Sequence, residues 1–521
     1  MADDGALSVG EYVRFLFGGK APDDCPSWPP DAFAVAATLL QRSGGYRWVV
    51  TKWPPAGPNW TEDILVTGAE WRDAVGWDGP PPAEVRDWWS QIRNHDALSI
   101  DELREKFDLA HLLLQICAAA DEASADAGIY IGPNDEFSRL ANECLRVSGG
   151  RTLCREIHPS RMIVLPKLHT PQSGLTMRSI SHHLALYMSG QTRPVWRIAP
   201  VETALENVLI LPWPREIDPK HFTASKGDPT NMPDCYRYFS YDLSIESRGF
   251  ELEEAIEAVK RAEEQVGRSI DAVVLPELAL RGDDYVELSK ATGKMVIAGV
   301  GTPASKAKLA TNSAAAAVPI GGMPAIWKQS KHHRWRLDDE QIAQYGLTDR
   351  FDGADRLWWE HIALGERELN FFALNNYVTM AVLICEDLAR LDPVNELVAT
   401  VGPTLVVALL MDGPQLPSRW SGRYATVLTD DPGSSVLSVT SLGMLRRYKH
   451  PTYGVSPVFA LWKDAKSTRG AVPISMKKDD SLGVVLKLKL ERFPEWTADG
   501  RSDFDDTFYL MLDGDPEEIR S

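Results

Sequence analysis

Three kinds of polar side chain stand where apolar runs end, and together they could do covalent chemistry. Cys385 closes Val382-Leu383-Ile384 and is followed by Glu386-Asp387. Glu277 follows Asp271-Ala272-Val273-Val274-Leu275 and Pro276. Between them lies Trp327-Lys328-Gln329-Ser330-Lys331-His332-His333, a polar run after a short apolar stretch. A carboxylate, a lysine and a thiol, each at the end of its own strand, form a set suited to nucleophilic catalysis. Any one of them alone has a bland reading, a core cysteine or a solvated loop acid.

Positioning these residues requires a layered domain. From Val208 onward, short β-branched runs alternate with helical segments: strands at 208–211, 270–275, 295–300, 313–319, 378–384, 404–409, 435–439 and 457–462, helices at 252–265 and 285–292, and a last apolar run at 482–490. Alternation of this kind indicates an α/β domain, and several strand pairs lack room for a helix between them, so a mixed sheet is expected. Residues 1–195 differ in texture. They are rich in tryptophan and proline and read as mainly helical, with helix-like spacing at 32–40, 83–92 and 100–125. Ser99 is placed to cap the last of these, with Glu102 as its capping-box partner.

Bulk properties narrow the classes. A chain of 521 residues with 44% hydrophobic and 25% charged residues is expected to form more than one globular domain. Its net charge of -18 argues against broad binding to nucleic acid or an anionic membrane. The six cysteines occur singly with no CxxC pair, so zinc-site spacing is absent and free thiols in a reducing cytoplasm are expected. The N-terminus does not read as a secretory signal, and no apolar run reaches the length of a membrane span.

The three strand ends, in this order and spacing, resemble the nitrilase or carbon-nitrogen hydrolase superfamily over residues 205–490. Val273-Val274-Leu275-Pro276-Glu277 matches the family's glutamate strand, Asn312 and Gly321-Gly322 precede the lysine run as they do in the family, and Ile384-Cys385-Glu386-Asp387 matches its nucleophile. The resemblance implies a four-layer α-β-β-α nitrilase-like sandwich in a hydrolase domain at 205–515, preceded by an N-terminal mainly helical domain at 1–195 for sensing, docking or oligomerisation. It also implies a Glu-Lys-Cys triad of Glu277, Lys331 and Cys385, with no metal or organic cofactor. A thiol with a pKa of about 8.5 needs a base or a nearby cation before it attacks at neutral pH. Glu277 fills the base position. The lysine and the amide of Glu386 would stabilise negative charge on the attacked group.

Strand alternation places Trp327, Gln329 and Lys331 on one face and Lys328 on the other, which favours Lys331 and keeps Lys328 as the alternative. The family's second glutamate maps to Glu340, and His332 and His333 would contact substrate or hydrogen-bond the loop. Arg423 matches a structural arginine, and 411–416 occupies the position of a pocket-shaping loop. The expected substrate is a small amide, carbamyl compound or nitrile, and the expected assembly a homo-oligomer, since members pair through helices and some extend into spirals. A second reading, from the size of the N-terminal region, is an assembly-gated effector or scaffold in bacterial defence or signalling. Other motifs carry less. Ser148-Gly149-Gly150-Arg151 reads as a turn, Gly299-Val300-Gly301 lacks the third glycine of a dinucleotide site, His182-His183 reads as a solvated or capped helix segment, and Trp88-Trp89 and Trp358-Trp359 as packing residues.

Overall fold

The computed structural model describes residues 7–52, 59–129, 135–171, 174–188, 190–199, 203–225, 236–243, 251–305, 308–351, 356–449, 456–478, 480–501 and 507–520. Two facing sheets form its centre. The first runs in the order Met323–Ser330, Thr311–Ile320, Met295–Thr302, Ala272–Arg281, Asn207–Ile210, Ser481–Phe493 and Thr507–Leu512, with Glu517–Arg520 also paired to the long Ser481–Phe493 strand. The second runs Val472–Ser475, Val458–Lys463, Ser435–Val439, Leu405–Leu409, Thr379–Ile384, Glu368–Ala373 and Arg193–Ile198. Both mix parallel and antiparallel pairs, as the short connections require.

Side-chain alternation shows how the layers stack. Along the glutamate strand, Ala272 and Val274 join a core shared with Met380, Val382 and Val406 of the second sheet. Val273 and Leu275 point the other way, into a core with Ala255, Ala258 and Leu288 of the helices Leu252–Val266 and Asp284–Thr292. A strand buried on both faces needs apolar residues at every position, which is why 272–275 reads as a continuous apolar run. On the other side, the helix Trp420–Asp430 packs on Ser435–Val439 and Val458–Lys463. Helices on one sheet and a helix on the other are consistent with the four layers that the resemblance implies.

The N-terminal region is a helical cluster around Pro29–Ser43, which is buried over nearly its whole length. Proline at its first turn and Gly44 in the left-handed region (φ 70°) fix its two ends. It packs against Phe107–Ala123, and both helices carry buried alanines, Ala32, Ala36 and Ala37 on one and Ala118, Ala119 and Ala120 on the other, small side chains that let helices approach closely. The helix expected over 100–125 breaks in two: the Ser99 capping box starts a single turn, Ile100–Leu103, and Phe107–Ala123 follows.

Strands absent from the sequence reading join this region to the sheets. Ile163–Pro166 and Leu184–Tyr187 form a ribbon, and Arg193–Ile198 pairs in parallel with Glu368–Ala373 at the edge of the second sheet. His182 and His183 do not lie on a helix. Both backbone amides donate to the buried Asp121 carboxylate, 2.7 and 3.0 Å away, in the turn before Leu184. Among the described residues no helix is long and apolar enough to cross a membrane.

Candidate functional site

The site forms where the two sheets face each other at the strand ends. After Leu275 the glutamate strand leaves its register with Met295–Thr302 and recovers it only at Leu280. Four residues, Pro276 to Ala279, thus stand opposite the single residue Gly299. The bulge drives the backbone of Glu277 into its neighbour: a Cβ on Gly299 would lie 2.3 Å from Glu277 Cα. Gly299, which sequence reasoning set aside with a failed dinucleotide motif, is there to admit this bulge. Leu278 (φ 54°) and Cys385 (φ 45°) both occupy the left-handed region, which costs a non-glycine residue about 1–3 kcal/mol. Strain at the residue after Glu277 and at the thiol itself marks both turns as shaped for something other than stability.

Lys331 follows directly on the strand Met323–Ser330. Its neighbours on the same face tie the sheets together: Gln329 Nε2 donates to Val382 O (3.0 Å), Gln329 Oε1 accepts from Asn370 N (2.8 Å), and Trp327 meets Phe372 edge-on. Lys331 is 1% exposed, and its Nζ donates to Glu277 Oε1 at 2.8 Å and to Glu360 Oε2 at 2.7 Å. Asn312 Nδ2 bridges the same two carboxylates, to Glu277 Oε1 at 2.7 Å and Glu360 Oε1 at 3.0 Å. Lys328 is exposed on the opposite face, over the Tyr285 ring and near Asp283.

Of the expected residues, Glu277, Lys331 and Cys385 come together and Glu340 does not. Glu340 is exposed on the helix Asp339–Gln344 and accepts from Gln344. Glu360 stands in the place expected for it, at the end of the strand Leu357–Glu360, in a small sheet with Arg336–Leu337, Tyr236–Tyr241 and Phe222–Ala224. His333 turns to the cysteine loop: its Nδ1 lies 2.9 Å from Asp387 Oδ1, and the same carboxylate accepts from the backbone N–H groups of His332 and His333. Asp387 thus ties the segment after the lysine to the segment after the thiol. Glu386 directs its carboxylate to Arg390.

A second polar cluster flanks the thiol. Asp412 accepts from Tyr345 Oη and Arg419 Nη2, both at 2.7 Å, and from Trp420 Nε1 at 2.9 Å. Thr440 pins its backbone from behind. Arg423, expected as the structural arginine, is exposed, and the arginine that donates to Asp412 is Arg419, four residues earlier. Sequence reasoning missed Glu360, Asp387 and Arg419 and saw Asn312 only as a marker before the lysine run.

The electrostatics follow from burial and mutual contact. Burial alone would lower the Lys331 ammonium, but Glu277 and Glu360 outweigh it and hold it well above its ordinary value. Burial raises Glu277, Lys331 opposes this, and Glu360 adds to it. The Cys385 thiol is pushed well up by burial and then by Glu277, with Lys331 pulling the other way. The thiol is therefore protonated at rest, beside a carboxylate of raised basicity. Glu277 Oε1 is occupied by Lys331 and Asn312, whereas its buried Oε2 has no hydrogen-bond partner among the described residues.

Fold and site define an α/β two-sheet protein holding a strained, buried thiol beside a carboxylate-lysine-carboxylate cluster. Solved structures to which the chain is similar include Nit3 of Saccharomyces cerevisiae, a member of branch 10 of the nitrilase superfamily, at 12% identity over 53% of this chain and 89% of that one, with a TM-score of 0.33. A CN-hydrolase superfamily protein of Xanthomonas campestris with an arsenic adduct in its active site is 13% identical over 37% of this chain and 71% of that one, with a TM-score of 0.25. The NitFhit protein of C. elegans is 13% identical over 53% of this chain and 59% of that one, with a TM-score of 0.28. No protein-family model and no curated protein matches the chain.

Proposed function

We propose that the chain is a carbon-nitrogen hydrolase of the nitrilase type, cleaving a small amide, carbamyl compound or nitrile through a thioester on Cys385. The observation that carries this reading is Lys331 Nζ bonded at once to Glu277 and Glu360 in a buried site beside a thiol held at φ 45°. Its chemistry starts from a protonated thiol. Glu277 Oε2 takes the thiol proton as sulfur attacks the substrate carbon, so no free thiolate has to persist near two carboxylates. Negative charge developing on the substrate oxygen or nitrile nitrogen meets the Lys331 ammonium and the amide of Glu386.

For an amide, the C–N bond breaks as the protonated Glu277 returns its proton to the departing amine, leaving the thioester. Water then attacks with Glu277 again as base, and the S–C bond breaks to release the acid and restore the thiol. For a nitrile, one water first adds to the thioimidate and ammonia leaves to give the same thioester. Glu360 and Asn312 position Lys331 and Glu277 throughout.

Turnover of a panel of small amides and nitriles by Cys385→Ala tests the proposal. We expect no detectable hydrolysis with an unchanged melting temperature, and a Cys385→Ala protein as active as the wild type sinks it. The choice of lysine is tested alongside: Lys331→Ala should be inactive and Lys328→Ala near normal, and the reverse would reassign the role.

A further inference from the structure

A well-formed cavity lies away from the thiol. It has a volume of about 720 Å³ and opens between the helix Glu136–Val147, the 148–160 loop and the start of the strand Arg193–Ile198. Three guanidinium groups, Arg151, Arg155 and Arg193, face it against two carboxylates, Glu143 and Glu156. Glu143 is already paired with Arg146. Arg151 and Arg193 pair in turn with Glu368 and Glu366, which leaves Arg155 on this wall without a carboxylate partner among the described residues.

The loop is held from beneath by groups that have no other evident task. Asp31, completely buried, accepts from the backbone N–H groups of Arg155, Glu156 and Ile157 at 3.1 to 3.3 Å. Trp28 Nε1 donates to Leu153 O at 2.7 Å. The Arg155 guanidinium lies 3.6 Å over the Trp28 ring, which itself stacks on Phe137. A planar cation fixed on an aromatic face keeps its N–H edge free for a planar or tetrahedral oxyanion. Such rigidity in an exposed loop is what a binding site needs and a plain turn does not.

We infer that this cavity is a second ligand site, independent of the chemistry at Cys385, for a small organic molecule bearing an oxyanion, a phosphate or carboxylate group. Arg155 and Arg151 bind the anionic head, and the apolar wall of Leu140, Val147 and Ile163 takes the body.

The site reaches the catalytic sheet by two routes. Arg151 contacts the Glu368 carboxylate at 3.5 Å, and the carbonyl of Glu368 meets His332 Nε2 at 2.9 Å, next to Lys331. Thr192 on the wall donates to Asp392, which also holds Arg367 and lies in the segment following Cys385. An anion that draws Arg151 from Glu368 or shifts Thr192 therefore acts on both loops of the thiol site.

The full chain titrated with inorganic pyrophosphate in one arm and citrate in the other, against sodium chloride of equal ionic strength, tests the site. At ten times its dissociation constant, the better anion should slow alkylation of Cys144, the half-buried thiol on the wall, by about tenfold, and should raise the melting temperature. Arg155→Gln should melt as the wild type does without ligand and lose both effects. Protection by neither anion beyond the chloride control, or protection that survives Arg155→Gln, overturns the assignment. Pyrophosphate alone acting identifies a phosphate ligand, and citrate alone a carboxylate. Amide hydrogen exchange of residues 386–392 reads the link to the thiol: altered exchange on saturation supports it, and identical exchange overturns it.

Discussion

Arg501 and Lys331 are the two most deeply buried cations among the described residues, and what surrounds each one separates structure from chemistry. Arg501 has 0% exposure and Lys331 has 1%, and each lies among carboxylates. Every guanidinium nitrogen of Arg501 has a partner: Nε donates to Asp499 at 2.8 Å, Nη2 to Ile180 O at 2.6 Å, and Nη1 to Ala118 O at 3.2 Å and to Glu122. It fastens the segment near the C-terminus to the helix Phe107–Ala123 and the turn before Leu184. Around Lys331 the network is left open, with Glu277 Oε2 and Asn312 Oδ1 buried and without hydrogen-bond partners among the described residues, and with two strained residues alongside. A buried charge with each of its nitrogens partnered is a fastener. One whose neighbours keep an unpaired acceptor beside a nucleophile is a site.

The comparison breaks most visibly in activity. Glu277→Gln keeps the side chain's shape but removes the base, so kcat should fall by about 10²–10⁴-fold while the melting temperature holds. A loss of stability without a specific loss of kcat would place Glu277 with the fasteners. Arg501→Leu should do the opposite and cost about 3–5 kcal/mol in denaturant unfolding, because it strands Asp499 and Glu122 without their cation. The protein that remains folded should turn over at the wild-type rate, and a selective fall in kcat there would erase the distinction. Gly299→Ala falls between these: the added Cβ has no room beside Glu277, so activity should drop further than thermal stability.

The smallest expected effect is a shift in pH dependence. Glu277 must be ionised to accept the thiol proton, and its pKa is raised, so activity should climb with pH through a limb lying above the ordinary 4.5 of a glutamate. Lys331 is held above 10.5, so it should impose no alkaline limb near neutrality. Glu360 is among the groups that raise Glu277. Removing its charge in Glu360→Gln should therefore move the acid limb to lower pH, and a limb that stays fixed or moves upward would contradict the assigned contact.

Much of this arrangement was legible in the amino-acid sequence because strands buried on both faces announce themselves. The runs at 208–211, 295–300, 378–384 and 435–439 became strands within a residue or two, and Cys385 stands at the end of one of them. Lys331 was separable from Lys328 by strand alternation alone. Glu360 was not legible: the helix Asp339–Gln344 and the residues after it push it well downstream of Lys331, and Leu357-Trp358-Trp359-Glu360 presents two tryptophans as its strongest signal. Asp387 and Asn312 are ordinary polar residues until the fold brings remote strands to them, the lysine strand to Asp387 and the glutamate and Leu357–Glu360 strands to Asn312.

The N-terminal region hid more. Its helices follow from periodicity, but Ile163–Pro166 and Leu184–Tyr187 are too short to show a period. Arg193–Ile198 is a strand because Glu368–Ala373 offers it an edge, a fact nowhere in its own residues. His182 and His183 looked solvated because the carboxylate that fixes their backbone, Asp121, is remote in sequence.

The central claim is that the sulfur of Cys385 bonds to a substrate carbon. Intact-mass analysis of the full chain, incubated with a panel of small amides and nitriles, quenched in acid and mapped by peptide, tests it directly. The account predicts one added acyl group on the peptide containing Cys385, accumulating when water attack is slowed and absent from Cys385→Ala. An adduct on another cysteine, or turnover in a protein that never carries one on Cys385, would contradict it.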